Sequence, residues 1–272
     1  MKVGLLGCGN IGCTIAEALI NNICPGKELS AICDMKKNDK IESLLKLSNA
    51  KFVDNVEALL TMDLDVIIEA ANPKVAAKYA LSVIEAGTDL LLLSSGALLE
   101  PSLQKDLELA SIRTKAKVIV PSGAVGGLSV IRAATLRGGL QEVTITTTKH
   151  PKSLIGAPFF SNNSIDLMNL KEKTLVFQGS ASEAIKGFPQ NVNIAVTVSL
   201  AGLGPEKTKI KIIADPGASL TRHELQVKGD FGTMKLELEN KVSPDNPRSS
   251  YLASLSAISA LKDFDNHILI GF

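Results

Sequence analysis

The stretch Val3-Gly4-Leu5-Leu6-Gly7-Cys8-Gly9-Asn10-Ile11-Gly12 limits what this chain can fold into more than any other. Val3 to Leu6 is a short apolar run that reads as a buried strand and stops at a glycine. Glycines at 7, 9 and 12 follow, and Ile11, Ile15 and Leu19 then recur at helical spacing. In a strand–turn–helix unit, Gly7 permits the tight turn and Gly9 lets the backbone approach a pyrophosphate. Gly12 lets the helix pack closely on the strand. The helix begins over Asn10 and Ile11, and its first N–H groups face the phosphates. A second apolar strand, Leu29 to Cys33, ends in Asp34, 22 residues beyond Gly12. A carboxylate there can accept a hydrogen bond from an adenosine ribose 2′-OH.

The same carboxylate would repel the 2′-phosphate of NADP, so Asp34 favours NAD. Lys36 and Lys37 follow it closely and oppose that preference, but exposed cations are worth under about 1 kcal/mol each. The expectation is NAD preferred, with NADP usable.

At 272 residues the chain has room for one large or two modest domains. A hydrophobic share of 45% with 21% charged residues is ordinary for a globular enzyme. The net charge of +1 gives no electrostatic case for nucleic acid or an anionic membrane. No apolar run approaches the ~20 residues of a membrane span. The first residues enter a strand directly, leaving no room for a signal peptide, and a cytoplasmic location is expected. All four cysteines, Cys8, Cys13, Cys24 and Cys33, lie near the N-terminus without a CxxC pair. They read as packing thiols, and no metal site is expected.

Strands and helices then alternate. Short helices are predicted around Ile41–Leu47 and Asn55–Met62, and the third strand is Asp65–Glu69. Asn72 and Pro73 suit the cap and first position of a helix running to Gly87. Leu90–Leu93 is a fourth strand, Pro101 or Ser102 opens a helix to about Lys115, and Lys117–Val120 is the fifth strand. That alternation predicts a doubly wound parallel sheet of Rossmann type. Pro121-Ser122-Gly123-Ala124-Val125-Gly126-Gly127 comes next, as a ligand-facing segment at a strand end or a linker.

Beyond it the texture is α+β, with a mostly antiparallel sheet. Strands are predicted at Val143–Thr148, Lys209–Ala214, Glu224–Lys228 and Met234–Leu238, the last two joined by the hairpin signal Gly229-Asp230-Phe231-Gly232. Helices are predicted at Ser180–Lys186 and Ile194–Leu203. The open sheet face is expected to meet a second subunit. Asn246 as N-cap and Pro247 at the first helical position precede Tyr251, Leu255, Ile258 and Leu261, a helix expected to return to the first domain. The division expected is 1–120 for dinucleotide binding, 121–240 for catalysis and dimerisation, and 241–272 for the returning tail.

Proton transfer beside a nicotinamide suits histidine. His267 lies in the tail among apolar residues and reads as structural. His150, at a strand end, and His223, where a loop enters a strand, are not separable by spacing. Lys149 and Arg222 could meet carboxylates. Asn191 and Asn193 stand before an apolar helix, where amides suit either capping or a carboxamide ligand.

Several segments together resemble the L-aspartate dehydrogenase family: Gly7–Gly12, Pro121–Gly127, Thr146–Pro151, Gly179-Ser180-Ala181 with Glu183-Ala184, Gly187–Asn193, Ala214–Pro216 with Arg222-His223-Glu224, and Asn246-Pro247 with Ser250–Ala253. The resemblance spans essentially the whole chain. It implies oxidative deamination of L-aspartate to iminosuccinate with NAD or NADP, a homodimer, and a supply of iminosuccinate to NAD biosynthesis. By position, His223 corresponds to the family's active-site histidine, and Ala124 with an asparagine of Asn191-Val192-Asn193 to its cofactor contacts. Thr221 stands where an asparagine is usual. The competing readings are another two-domain oxidoreductase, of homoserine dehydrogenase or dihydrodipicolinate reductase type, and a dinucleotide-binding sensor without turnover.

Overall fold

The computed structural model describes residues 1–161, 163, 165–189, 193–243, 246–268 and 270. The chain forms two compact units, one of Met1–Gly123 with Ala253–Ile270 and the other chiefly of Ala124–Leu252.

The first unit is built on a parallel sheet of β1 (Lys2–Leu6), β2 (Glu28–Cys33), β3 (Lys51–Val53), β4 (Val66–Glu69), β5 (Asp89–Leu92) and β6 (Val118–Ile119). The strand order is β3-β2-β1-β4-β5-β6, so the direction of growth reverses between β1 and β4. Parallel neighbours need crossovers, which contain α1 (Asn10–Ile20), α2 (Asp39–Lys46), α3 (Val56–Leu60), α4 (Pro73–Glu85) and α5 (Pro101–Thr114). Both faces are covered, which is why the strands read as continuous apolar runs. Val3, Leu5 and Ile32 pack with Ile15 and Leu19 on one face, joined there by Ala257, Ile258 and Leu261 of the last helix, α9 (Tyr251–Lys262). Leu6, Ile67 and Leu92 pack on the other face against Leu59, Val83, Ile84 and Leu107.

The sequence predicts five strands here and the structure has six. The unforeseen one, β3, is three residues long and pairs with β2 at Ala31–Cys33; three residues cannot display an alternation. The Asn72 cap and Pro73 at the first position of α4 are both present.

The second unit carries a mixed five-stranded sheet of β7 (Leu140–Lys149), β8 (Thr174–Ser180), β9 (Lys209–Ala214), β10 (Thr221–Gly229) and β11 (Gly232–Asn240), in the order β11-β10-β7-β9-β8. Three of its four ladders are antiparallel and β7–β9 is parallel. One face is apolar: Val143, Ile145, Ile210, Ile212, Leu225 and Val227 pack against α6 (Leu128–Thr135), α7 (Ala181–Gly187) and α8 (Asn193–Ala201). Phe159, Phe160, Phe177 and Phe188 extend that core, with ring centroids 5.1–5.6 Å apart. The predicted hairpin is present, Gly229 pairing with Gly232.

Strand β8 and helix α6 have no counterpart in the sequence reading. In β8 a bulge between Leu175 and Phe177 breaks the alternation. Helix α6 has eight residues, and Gly127, at φ +81°, caps it without a side chain. The tail requires a correction. Asn246–Ser250 is a strand, β13, paired antiparallel with β12 (Val242–Ser243), and α9 begins only at Tyr251. Proline disfavours helical backbone in the residue before it and is admitted at the start of short edge strands, so Asn-Pro served a strand here.

Candidate active site

In the first unit, Gly7 has φ +92°, and a Cβ there would lie 2.7 Å from the Ala71 backbone. A Cβ on Gly12 would collide with the Gly7 carbonyl. Gly9 is the opposite case, since a Cβ there would meet nothing within 4 Å. The turn is closed at two glycines and open at the third. Helix α1 starts on Gly9 with no capping side chain and no acid in its first turn. Asn38, Asn55 and Asn72, by contrast, cap α2, α3 and α4 with their side chains. Uncapped N-terminal N–H groups with the positive end of the helix dipole suit a phosphate.

The turn is also anchored from β2. The Gly7 N–H donates to the Cys33 carbonyl at 2.8 Å, and the Cys8 N–H donates to Asp34 Oδ2 at 2.8 Å. Asp34 therefore stands beside the glycine-rich turn, as a ribose acceptor should, and fixes that turn as well. Gly7, Gly9, Asn10, Ile11, Gly12 and Asp34 converge at one end of β1 and β2, an arrangement that fits a dinucleotide. No sequence pattern marks Lys40 on α2, yet its charge acts on the Cys8 and Cys13 thiols and it belongs to this neighbourhood. The four cysteines are buried free thiols.

In the second unit, strand register decides among the candidates. His223 pairs with Thr147, and its Nδ1 lies 3.0 Å from Thr147 Oγ1. Side chains alternate across a strand, so Thr147, Lys149 and His223 share the face that carries the core. His223 is 5% exposed. Burial, followed by the Lys149 charge, pushes its pKa down to about 3, so the imidazole is neutral at ordinary pH. Burial pushes the Lys149 ammonium down to about 8. When His223 Nδ1–H donates to Thr147, Nε2 is left with a lone pair able to take a proton.

Arg222 points to the opposite face, where Glu239 accepts from its Nη2 at 2.6 Å and from its Nε at 3.0 Å, with Glu237 3.2 Å from the Nε. It does not share the His223 face. His150 Nδ1 accepts from the Lys152 N–H at 3.2 Å and caps a 3-10 turn. Ala124 is buried, and its carbonyl accepts from Nδ2 of the buried Asn240 at 3.1 Å, a partner the sequence did not suggest. Asn193 is the exposed first residue of α8; Asn191 lies outside the described residues. His267 is exposed.

Comparison with known proteins agrees with both halves. Residues 130–264 match the family model described as aspartate dehydrogenase, C-terminal, and residues 7–121 match that of the homoserine dehydrogenase NAD binding domain. The second match is confined to the nucleotide-binding part and carries no information about substrate. L-aspartate dehydrogenase of Methanosarcina acetivorans is 40% identical over 272 residues, covering 100% of this chain and 99% of that protein. The enzyme of that name from Nitrosopumilus maritimus is 39% identical, with 99% of each covered. The crystal structure of aspartate dehydrogenase from Thermotoga maritima superposes with a TM-score of 0.77 at 27% identity, covering 100% of this chain and 99% of that one. Scyllo-inositol dehydrogenase of Lactobacillus casei, at 13% identity and a TM-score of 0.59, shares the fold alone. Sheet order, glycine-rich turn and second unit together define a two-unit dehydrogenase of Rossmann type. Within that class, the chain belongs to the L-aspartate dehydrogenase family.

Proposed function

We propose that the protein oxidises L-aspartate to iminosuccinate, which water converts to oxaloacetate and ammonia. The carrying observation is the Thr147–Lys149–His223 cluster on one sheet face of a chain whose full length matches L-aspartate dehydrogenases. A bound nicotinamide dinucleotide supplies the hydride acceptor. Gly9 and the start of α1 would hold its pyrophosphate and Asp34 its adenosine ribose, and Ala124 with Asn191 or Asn193 would supply further contacts to it. His223 Nε2 takes a proton from the substrate ammonium, freeing the amine lone pair that forms the C=N bond as the Cα hydride leaves. Lys149 pairs with a substrate carboxylate. Running the reaction backwards tests the amine chemistry: oxidation of NADH by oxaloacetate should require ammonia. Ammonia-independent turnover would make the protein a hydroxy-acid dehydrogenase.

NAD is the preferred cofactor in this reading and NADP remains usable. Asp34 favours NAD against Lys36, Lys37 and Lys40. Because Asp34 also accepts the Cys8 N–H, Asp34→Asn is the informative variant: it keeps an acceptor for the turn and removes the charge. The kcat/KM ratio of NADP to NAD should rise at least about fivefold, the equivalent of about 1 kcal/mol. An unchanged ratio would assign cofactor choice to the lysines.

The protein is a homodimer that associates through the second sheet's other face. That face carries Glu142, Arg222, Glu224, Lys228 and Lys209, and its apolar residues are not part of the unit's core. Thr148 on it is 4% exposed, and its hydroxyl has no hydrogen-bond partner among the described residues. Sedimentation equilibrium should give twice the chain mass for the wild type and a lower mass for Thr148→Lys; a monomeric wild type rejects the dimer.

A further inference from the structure

One buried carboxylate lies outside the machinery described so far. Glu69 is the last residue of β4 and is 1% exposed. Several donors converge on it: the Ala71 N–H and the Ser94 hydroxyl reach Oε1, each at 2.9 Å, the Ser94 N–H reaches Oε2 at 2.9 Å, and the Asn72 N–H bonds it as well. Ala71 belongs to the loop after β4 and Ser94 to the loop after β5, so one side chain ties the two loops together. Burial raises the Glu69 pKa, opposed by the bonds from Ser94, Ala71 and Asn72. A buried carboxylate is costly, but an ionised one presents acceptors only, which is what these converging donors require.

Packing reinforces the tie. A Cβ on Gly96, just past Ser94, would lie 3.3 Å from Pro73 Cγ, and Ala71 already abuts Gly7. The loops after β4 and β5 thus form one brace with Glu69 at its centre. Open α/β sheets bind their ligand where strand order reverses, here between β1 and β4. With pyrophosphate at Gly9–Gly12 and the adenosine ribose at Asp34, the remaining half of a dinucleotide falls to the loops after β4 and β5.

We infer that Glu69 is a positioning residue for the nicotinamide half of the cofactor, an inference that rests on the dinucleotide reading given above. It holds the two loops at one fixed separation without touching the reacting atoms. The pyrophosphate turn does not depend on it, because Cys33 and Asp34 anchor that turn from β2.

The test compares the affinities of NADH and ADP-ribose, which lacks the nicotinamide ring, by calorimetry on the full chain. Glu69→Gln exchanges one acceptor oxygen for a donor amide, leaving at least one converging N–H or O–H facing another donor. The NADH dissociation constant should rise about tenfold or more, with ADP-ribose within about twofold of wild type. Ser94→Ala removes only the hydroxyl donor and should move NADH the same way by about two- to fivefold, again sparing ADP-ribose. If Glu69→Gln does not fold, Ser94→Ala decides. Equal losses for the two ligands would mean a general structural role, and no loss for either would mean no role; each overturns the inference. A wild-type protein that binds neither ligand would reject the dinucleotide reading and the inference with it.

Discussion

Replacing His223 with Ala should lower kcat by about 10²–10⁴, the span typical of a lost general acid–base group, while cofactor affinity stays within about threefold of wild type. His223 lies in the ladder between β7 and β10, and Thr147 fixes its ring. The turn proposed for the pyrophosphate is built from other residues. A steady-state assay with a parallel cofactor titration separates the two effects. Near-normal turnover would remove His223 from the mechanism and make Lys149 the proton acceptor. The neutral state of the imidazole has its own consequence. In the unfolded chain the ring takes a proton as pH falls through about 6.5, whereas in the folded chain it resists until about 3. Between those values the unfolded state binds the extra proton, so His223 leaves stability intact above about pH 6.5 and erodes it as pH falls towards 3. A His223→Gln variant should show a flatter loss of Tm in acid; an identical acid limb would mean the imidazole is not held neutral.

Gly9→Val should fold and yet bind NAD about a hundredfold or more weakly, because the side chain would occupy the space where the pyrophosphate meets the backbone. The three glycines differ here. Gly7 and Gly12 are confined by the Ala71 backbone and the Gly7 carbonyl, so substituting either disturbs the fold itself. Only at Gly9 is there open space, which makes it the position where cofactor loss can be separated from unfolding. Calorimetric titration alongside a thermal melt reads both. A folded Gly9→Val protein with unchanged affinity would move the phosphate site elsewhere.

Legibility in the sequence followed how local each constraint is. The glycine-rich turn, Asp34 and the Asn72-Pro73 helix start are set by backbone chemistry within a few residues, and each is read directly. The roles of Glu69 and Asn240 depend on partners 25 and 116 residues away, and no local pattern marks them. His150 and His223 separate only through the β7–β10 register, which is equally non-local. One local signal does separate two candidates: Arg222 and His223 are consecutive on a strand, so their side chains must point to opposite faces. Only one of the two can serve a given site. Asn246-Pro247 misled for the converse reason, since the pair suits a helix start and an edge-strand start alike.

The central claim is the oxidation of L-aspartate, and the most direct measurement is NAD reduction by the purified protein across a panel of L-aspartate, D-aspartate, L-glutamate, L-homoserine and L-malate. L-Aspartate should give the highest kcat/KM, by about tenfold or more over every other member, with ammonia released in step with NADH. L-Homoserine or L-malate as the best substrate, or binding of NADH with no turnover of any member, would contradict it.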